Sequence, residues 1–179
     1  MSIYVSNFNS DSVSVFERHA CGNTAPVRQI VGGRTRLRAP IGMAVDAGRN
    51  LYVANRGGTG VTVYAPDAEG DVAPLRVLNA VGLQAAEALA IGPSGDVYVS
   101  SWPNGVGTRC TSIFHFGADA ERSDYAISGS NTGLSYPIGL ATDRSARSRV
   151  RPPASTGRSV CWSLTDRQKL QATRQVRAC

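Results

Sequence analysis

Few side chains in this 179-residue sequence have the type and setting to do chemistry. Glu87 leads them. It stands in AAEALAIGPSGD, in a column that other stretches fill with Ile41 and Ile138, so a carboxylate replaces an aliphatic side chain on an inner strand. Such a carboxylate facing a channel is a candidate ligand for a divalent cation such as Ca2+. The plainer expectation is a solvated carboxylate at the rim of a sheet. His19 and His115 could exchange protons near neutral pH, but they fall in different elements without a Ser or Asp in a catalytic arrangement. Both are therefore expected to be structural, His115 on a half-buried strand in SIFHFGADA and His19 in the loop ERHACG.

Cys21, Cys110, Cys161 and Cys179 include no C-x-x-C pair and no His at zinc spacing. Unpaired thiols are the expectation, with a Cys161–Cys179 bridge conceivable only in an oxidising compartment. GGTG at 57–60 is glycine-rich, but it joins two strand-like runs and lacks the Lys of a phosphate loop, so it reads as a hairpin connection. Asn7, Asn55 and Ser101 share one column at the end of a strand, where they cap loops or line a pocket mouth. Asp46 and Asp143 match at the end of another strand and are expected to accept turn N–H groups.

These columns exist because the chain repeats itself. IYVSN, LYVAN and VYVSS place Tyr4, Tyr52 and Tyr98 in register across copies 3–50, 51–96 and 97–147. DSVSVF, GVTVY and TSIFHF follow, then APVRQI, APLRVL and, more loosely, SDYAI. Each copy closes with APIGMAVDAGRN, AAEALAIGPSGD or YPIGLATDRSAR. A period of roughly 46–51 residues belongs to propeller-type repeats. Each unit holds four short strand-like runs separated by Gly, Asn, Asp and Pro, without helical periodicity before residue 160. The fold is expected to be all-β: a partial β-propeller of about three four-stranded blades over 1–143, followed by an Arg-rich irregular tail over 144–179.

IGMAVD shows how such sheets crowd together: Ile41, Met43 and Val45 alternate with Gly42 and Ala44, small residues that permit close approach. The chain opens on the second strand of its unit, so the first blade lacks a P-x-G strand; YPIGLATD is the candidate to supply it. A partial arc exposes two blade faces, and such apolar surfaces favour a protein partner or self-association.

Charge divides sharply. Residues 1–143 carry ten Arg against twelve Asp or Glu, a balance of −2, while 144–179 carry eight Arg and Lys169 against Asp166, a balance of +8. The basicity belongs to the tail and gives no reason to expect nucleic acid on the folded part. The tail is expected to be irregular through about residue 160. A short helix over 165–176 is considered from the capping-box spacing of Thr165 and Gln168. Loss of alternation after Asp143 suggests an out-of-frame or degenerate end; a basic arm for an acidic partner is the alternative. No apolar run approaches the roughly 20 residues that span a bilayer. MSIYVSN enters a strand at once and reads as strand rather than leader.

P-x-G-[hydrophobic]-A-[hydrophobic]-D, a turn, then [LIV]-Y-V-[AS]-N resembles the NHL-type repeats of six-bladed propellers, a group with gluconolactonase-like and streptogramin-lyase-like enzymes. The resemblance covers about residues 1–143. It implies a propeller fold and, among exported relatives, either a non-catalytic binding module or a lactonase- or lyase-like enzyme. In the second case a half-ring would need self-association to form its channel, and acidic residues such as Glu87 would hold Ca2+. No other cofactor is implied, and the compartment stays open.

Overall fold

The computed structural model describes residues 2–58, 60–102 and 111–143, and among them the fold is all-β, in three antiparallel sheets joined by turns and single 3-10 turns. The first sheet holds β1 (Ser2–Asn7), β2 (Ser12–Glu17) and β3 (Arg28–Val31). The second runs β4 (Pro40–Val45), β5 (Leu51–Asn55), β6 (Gly60–Tyr64) and β7 (Arg76–Leu78). The third runs β8 (Ala86–Ile91), β9 (Val97–Ser101), β10 (Ser112–Phe116) and β11 (Tyr125–Ser128). Strands follow chain order within every sheet, so each is a meander and each acts as one blade. The tail expectations over 144–179, and those for Cys110, Cys161 and Cys179, lie outside the described residues.

The strands form where β-branched and aromatic residues alternate with small or polar ones, and alternation assigns each face to a neighbour. In β5, Leu51 and Val53 face the first blade and pack with Val13, Ile30 and Tyr64, while Tyr52 and Ala54 face the third and pack with Val97, Val99 and Phe116. Leu51, Val53, Tyr52 and Ala54 are all 2% exposed or less. A sheet buried on both faces needs a neighbour on each side, and the chain supplies them by repetition.

The innermost strands of the second and third blades, β4 and β8, run side by side. Gly42 makes this approach possible: a Cβ there would lie 2.5 Å from the Glu87 carbonyl oxygen and 2.9 Å from the Ala88 Cα. The expected two-residue alternation of IGMAVD is interrupted, because the register between β4 and β5 shifts between Pro40 and Met43. Beyond the shift, Met43 turns to the first blade and Ala44 to the third. β8 has the same bulge between Ala86 and Leu89. Bulges sharpen the local twist and re-aim side chains, and here they bend both inner strands at the same height.

Arginine ties each blade to the next. Arg28 donates to the carbonyls of Pro66 (2.6 Å) and Ala68 (3.3 Å), and Arg76 donates to that of Ala118 (3.0 Å). Each Arg also reaches its own blade's tyrosine, Tyr4 at 3.5 Å and Tyr52 at 2.6 Å. Bridges at Ile30–Gly70 and Asn79–Arg122 stitch the outer edges in the same two junctions.

Among the described residues the first blade has three strands where the other two have four. YPIGLATD does not complete it. Instead Leu140–Asp143 lie over the open face of the third blade, where Thr142 Oγ1 donates to the Ile91 carbonyl at 2.8 Å. Those residues join no sheet.

Candidate functional site

The third blade departs from the pattern on the face it turns away from the others. Arg28 of β3 pairs with Val15, and Arg76 of β7 pairs with Val63. The same position in the third blade joins Tyr125 of β11 to His115 of β10. The Arg tie is thus replaced by an aromatic pair. The His115 and Tyr125 rings stack at 4.5 Å with an interplanar angle of 13°, and Tyr98, cross-strand from His115, tilts against the imidazole at 5.1 Å. Two carboxylates flank the imidazole, Asp124 Oδ2 at 3.3 Å from Nδ1 and Asp96 Oδ1 at 3.9 Å from Nε2. The 3.3 Å contact is too poorly aligned to count as a hydrogen bond.

Burial, reinforced by Tyr98 and the two carboxylates, pushes the Tyr125 phenol up to about 12. Beside these rings lies a cavity of about 380 Å³ lined by Tyr98, Ile113, Ile127, Leu140 and Thr142 among others. Tyr98, aliphatic side chains and the acidic residues Asp96 and Asp143 thus line it together.

His115 is thus a strand residue at the edge of this site, as its alternation suggested, although no partner for it was read from the sequence. Tyr125, Asp124 and the inter-blade arginines were missed. The available signal was the third copy itself, where SDYAI stands in place of APVRQI and APLRVL.

Glu87 sits elsewhere, on the bulge of β8. It is 4% exposed, so it is not a solvated rim carboxylate, and Arg56 Nε lies 3.1 Å from its Oε1. The guanidinium already supplies the positive charge beside this carboxylate. Among the described residues no three His, Cys, Asp or Glu side chains cluster closely enough to hold a metal ion, so the donor set does not fit calcium.

Asn55 is fully buried and committed to the fold. Its Nδ2 donates to Val53 O, Gly60 O and Thr62 Oγ1, and its Oδ1 accepts the Arg38 N–H at 2.9 Å. Asn7 donates in the same way to Ser12 and Ser14. Ser101 is buried, and its Oγ has no hydrogen-bond partner among the described residues. None of these three lines the cavity, which lies at the opposite end of the strands. Asp46 does hold its turn, accepting from Asn50 N and Nδ2 at 2.8 Å each. Gly57 and Gly58 lie in the β5–β6 hairpin connection, and His19 is exposed in its loop.

No family model and no curated protein matches this sequence. Among solved structures, a chain of Kuenenia stuttgartiensis hydrazine synthase shares the fold with a TM-score of 0.54 at 18% identity. The match covers 71% of this chain and 34% of that one, so this chain spans about a third of its neighbour's length. The likeness is one of fold.

Proposed function

We propose that this chain is a non-catalytic, NHL-like propeller module that binds a protein surface through the open faces of its end blades. The supporting observation is the outward face of the third blade. Tyr98, Ile113, His115 and Ile127 there occupy the columns of Tyr4, Val13, Val15 and Ile30, which the first blade turns toward the second. In the third blade no further sheet covers that surface among the described residues: Ile127 is 45% exposed, Tyr98, Ile113 and His115 are half-buried, and Leu140–Asp143 border it. A surface built like an inter-blade junction is complementary to another blade, and contiguous exposed apolar patches of this kind mark interaction sites. The NHL reading is supported by the P-x-G phrase on β4 and the Y-V-[AS]-N phrases on β1 and β5, with YVSS in the same column on β9.

The test is turnover of a lactone panel by wild type and Glu87→Gln, with and without millimolar calcium. The binding-module reading expects no turnover above buffer and no calcium-dependent shift in melting temperature. Calcium-dependent turnover lost in Glu87→Gln would replace it with a lactonase-like enzyme.

A further inference from the structure

We infer that the partner is a second copy of this chain, and that Pro137–Thr142 of each copy completes the first blade of the other, closing two three-blade arcs into one ring. The inference rests on the binding-module reading and names its ligand.

The pairing already exists once inside the chain. β4 pairs with β5 through Pro40–Asn55, Met43–Val53, Ala44–Tyr52 and Val45–Leu51. Residues 137–142 repeat β4 as PIGLAT against PIGMAV, and β1 repeats β5. The same register across copies sets Pro137 opposite Asn7, Leu140 opposite Val5, Ala141 opposite Tyr4 and Thr142 opposite Ile3. β1 is the inner edge of its sheet, with Ile3 43% and Val5 40% exposed, and no strand pairs with that edge among the described residues. An edge of this kind is a template for a matching strand.

The approach to residue 137 is built like the approach to Pro40. Thr35 and Thr132 each donate Oγ1 to the carbonyl of a glycine three residues back, at 2.6 and 2.7 Å. Ala39 and Tyr136 each take positive φ, 45° and 51°. In the second blade this approach is pinned where the Arg38 N–H enters Asn55 Oδ1 at 2.9 Å. Ser135 stands in the Arg38 column. Asn7 Nδ2 keeps its counterpart's bond in the Thr62 column, to Ser14 Oγ, and adds one to Ser12 Oγ, while its Oδ1 has no partner among the described residues, leaving an acceptor for the Ser135 N–H of the second copy.

Charge on the two open faces is exchanged relative to the internal junctions. Within the chain, Arg28 and Arg76 reach turns that carry Asp67 and Asp119, the latter at 3.7 Å from Arg76. The third blade instead offers Asp96, Asp124 and Tyr125. The equivalent turn of the first blade, Glu17–Ala20, offers Arg18 and His19 beside Glu17. Packing the third blade of one copy on the first blade of the other sets Asp96 and Asp124 against the turn that carries Arg18 and His19. The swap also disfavours other registers, since like charges set opposite each other repel. Two arcs of three blades give six, inside the roughly four to eight that close a propeller.

Light scattering across a dilution series of the 179-residue chain reads the outcome. The expected mass at high concentration is twice the 18.9 kDa of one chain. Arg18→Glu is expected to raise the dissociation constant at least about tenfold, and adding Asp124→Arg to restore it. Gly139→Ala tests the seam without threatening the fold, because a Cβ there meets nothing within 4 Å in one chain. It should weaken the dimer and leave the melting temperature of the dilute chain unchanged. With the native cysteines changed to Ser, Val5→Cys with Leu140→Cys should cross-link one copy to the other. A single-chain mass at every concentration, open-ended multiples, or a dimer that resists this cross-link while forming normally would each overturn the inference. Calcium-dependent lactone turnover would instead remove the binding-module reading, so the two failures are distinct.

Discussion

Gly42→Ala loads a close backbone-to-backbone contact between two blades. The added methyl would sit 2.5 Å from a backbone oxygen and 2.9 Å from a backbone carbon of β8. Neither can swing aside as a side chain would. Overpacking a filled interior costs roughly 1–3 kcal/mol, and a backbone wall places this change near 3. Replacing Gly restricts the unfolded chain and returns roughly 0.5–1 kcal/mol, leaving a net loss of about 2 kcal/mol. With a urea slope of roughly 2 kcal/mol/M, the unfolding midpoint should fall by about 1 M at fixed protein concentration. Gly33→Ala is the control, since a Cβ there meets nothing within 4 Å. It should shift the midpoint slightly upward or not at all. Equal midpoints for the two variants would refute the reasoning that β4 and β8 are pressed together.

Arg56→Leu should cost about 2 kcal/mol in chemical denaturation, because it strands a Glu87 side chain that is 5% exposed. The loss is set below that of a fully buried pair because Arg56 is 33% exposed, and Glu87→Gln added to it should recover most of the stability. Arg76→Met removes hydrogen bonds to Tyr52 and Ala118 and a cation–π contact of 5.7 Å, so about 2 kcal/mol should be lost, with hydrogen exchange rising first at Leu78 and Phe116. Burial pushes the Tyr64 phenol from its usual 10 to about 12, so the fold holds that proton more tightly than the unfolded chain does. Its contribution is complete below about pH 10 and disappears as pH rises through about 12. A two-unit rise corresponds to about 3 kcal/mol, and Tyr64→Phe should flatten that part of an alkaline stability profile while leaving the part due to Tyr125.

The blades were legible because each local feature agreed with the repeat. The Tyr4, Tyr52 and Tyr98 column fixed the strand phase, Asp46 announced its turn, and Gly42 and Ala44 marked the side of close approach. The bulges in β4 and β8 were not legible, since an inserted residue leaves apolar alternation looking regular on either side of it. Glu87 stood out as a broken column, but its partner Arg56 follows the second strand of the preceding blade, and only the packing of two blades brings them together. The inter-blade arginines were hidden for the same reason: a repeated Arg signals a repeated contact without saying what it touches. Tyr125 and Asp124 were visible as a loose match in the third copy, and their meaning depends on knowing that Arg28 and Arg76 are ties.

The stacking of consecutive sheets carries everything else, and the most direct measurement of it is a nuclear Overhauser effect between the α-protons of Gly42 and Ala88 in labelled protein. The account predicts a strong cross-peak there, alongside the sequential and cross-strand peaks of β4 and β8. Well-resolved strands with that cross-peak missing would contradict it, because the second and third sheets would then not meet at their inner edges.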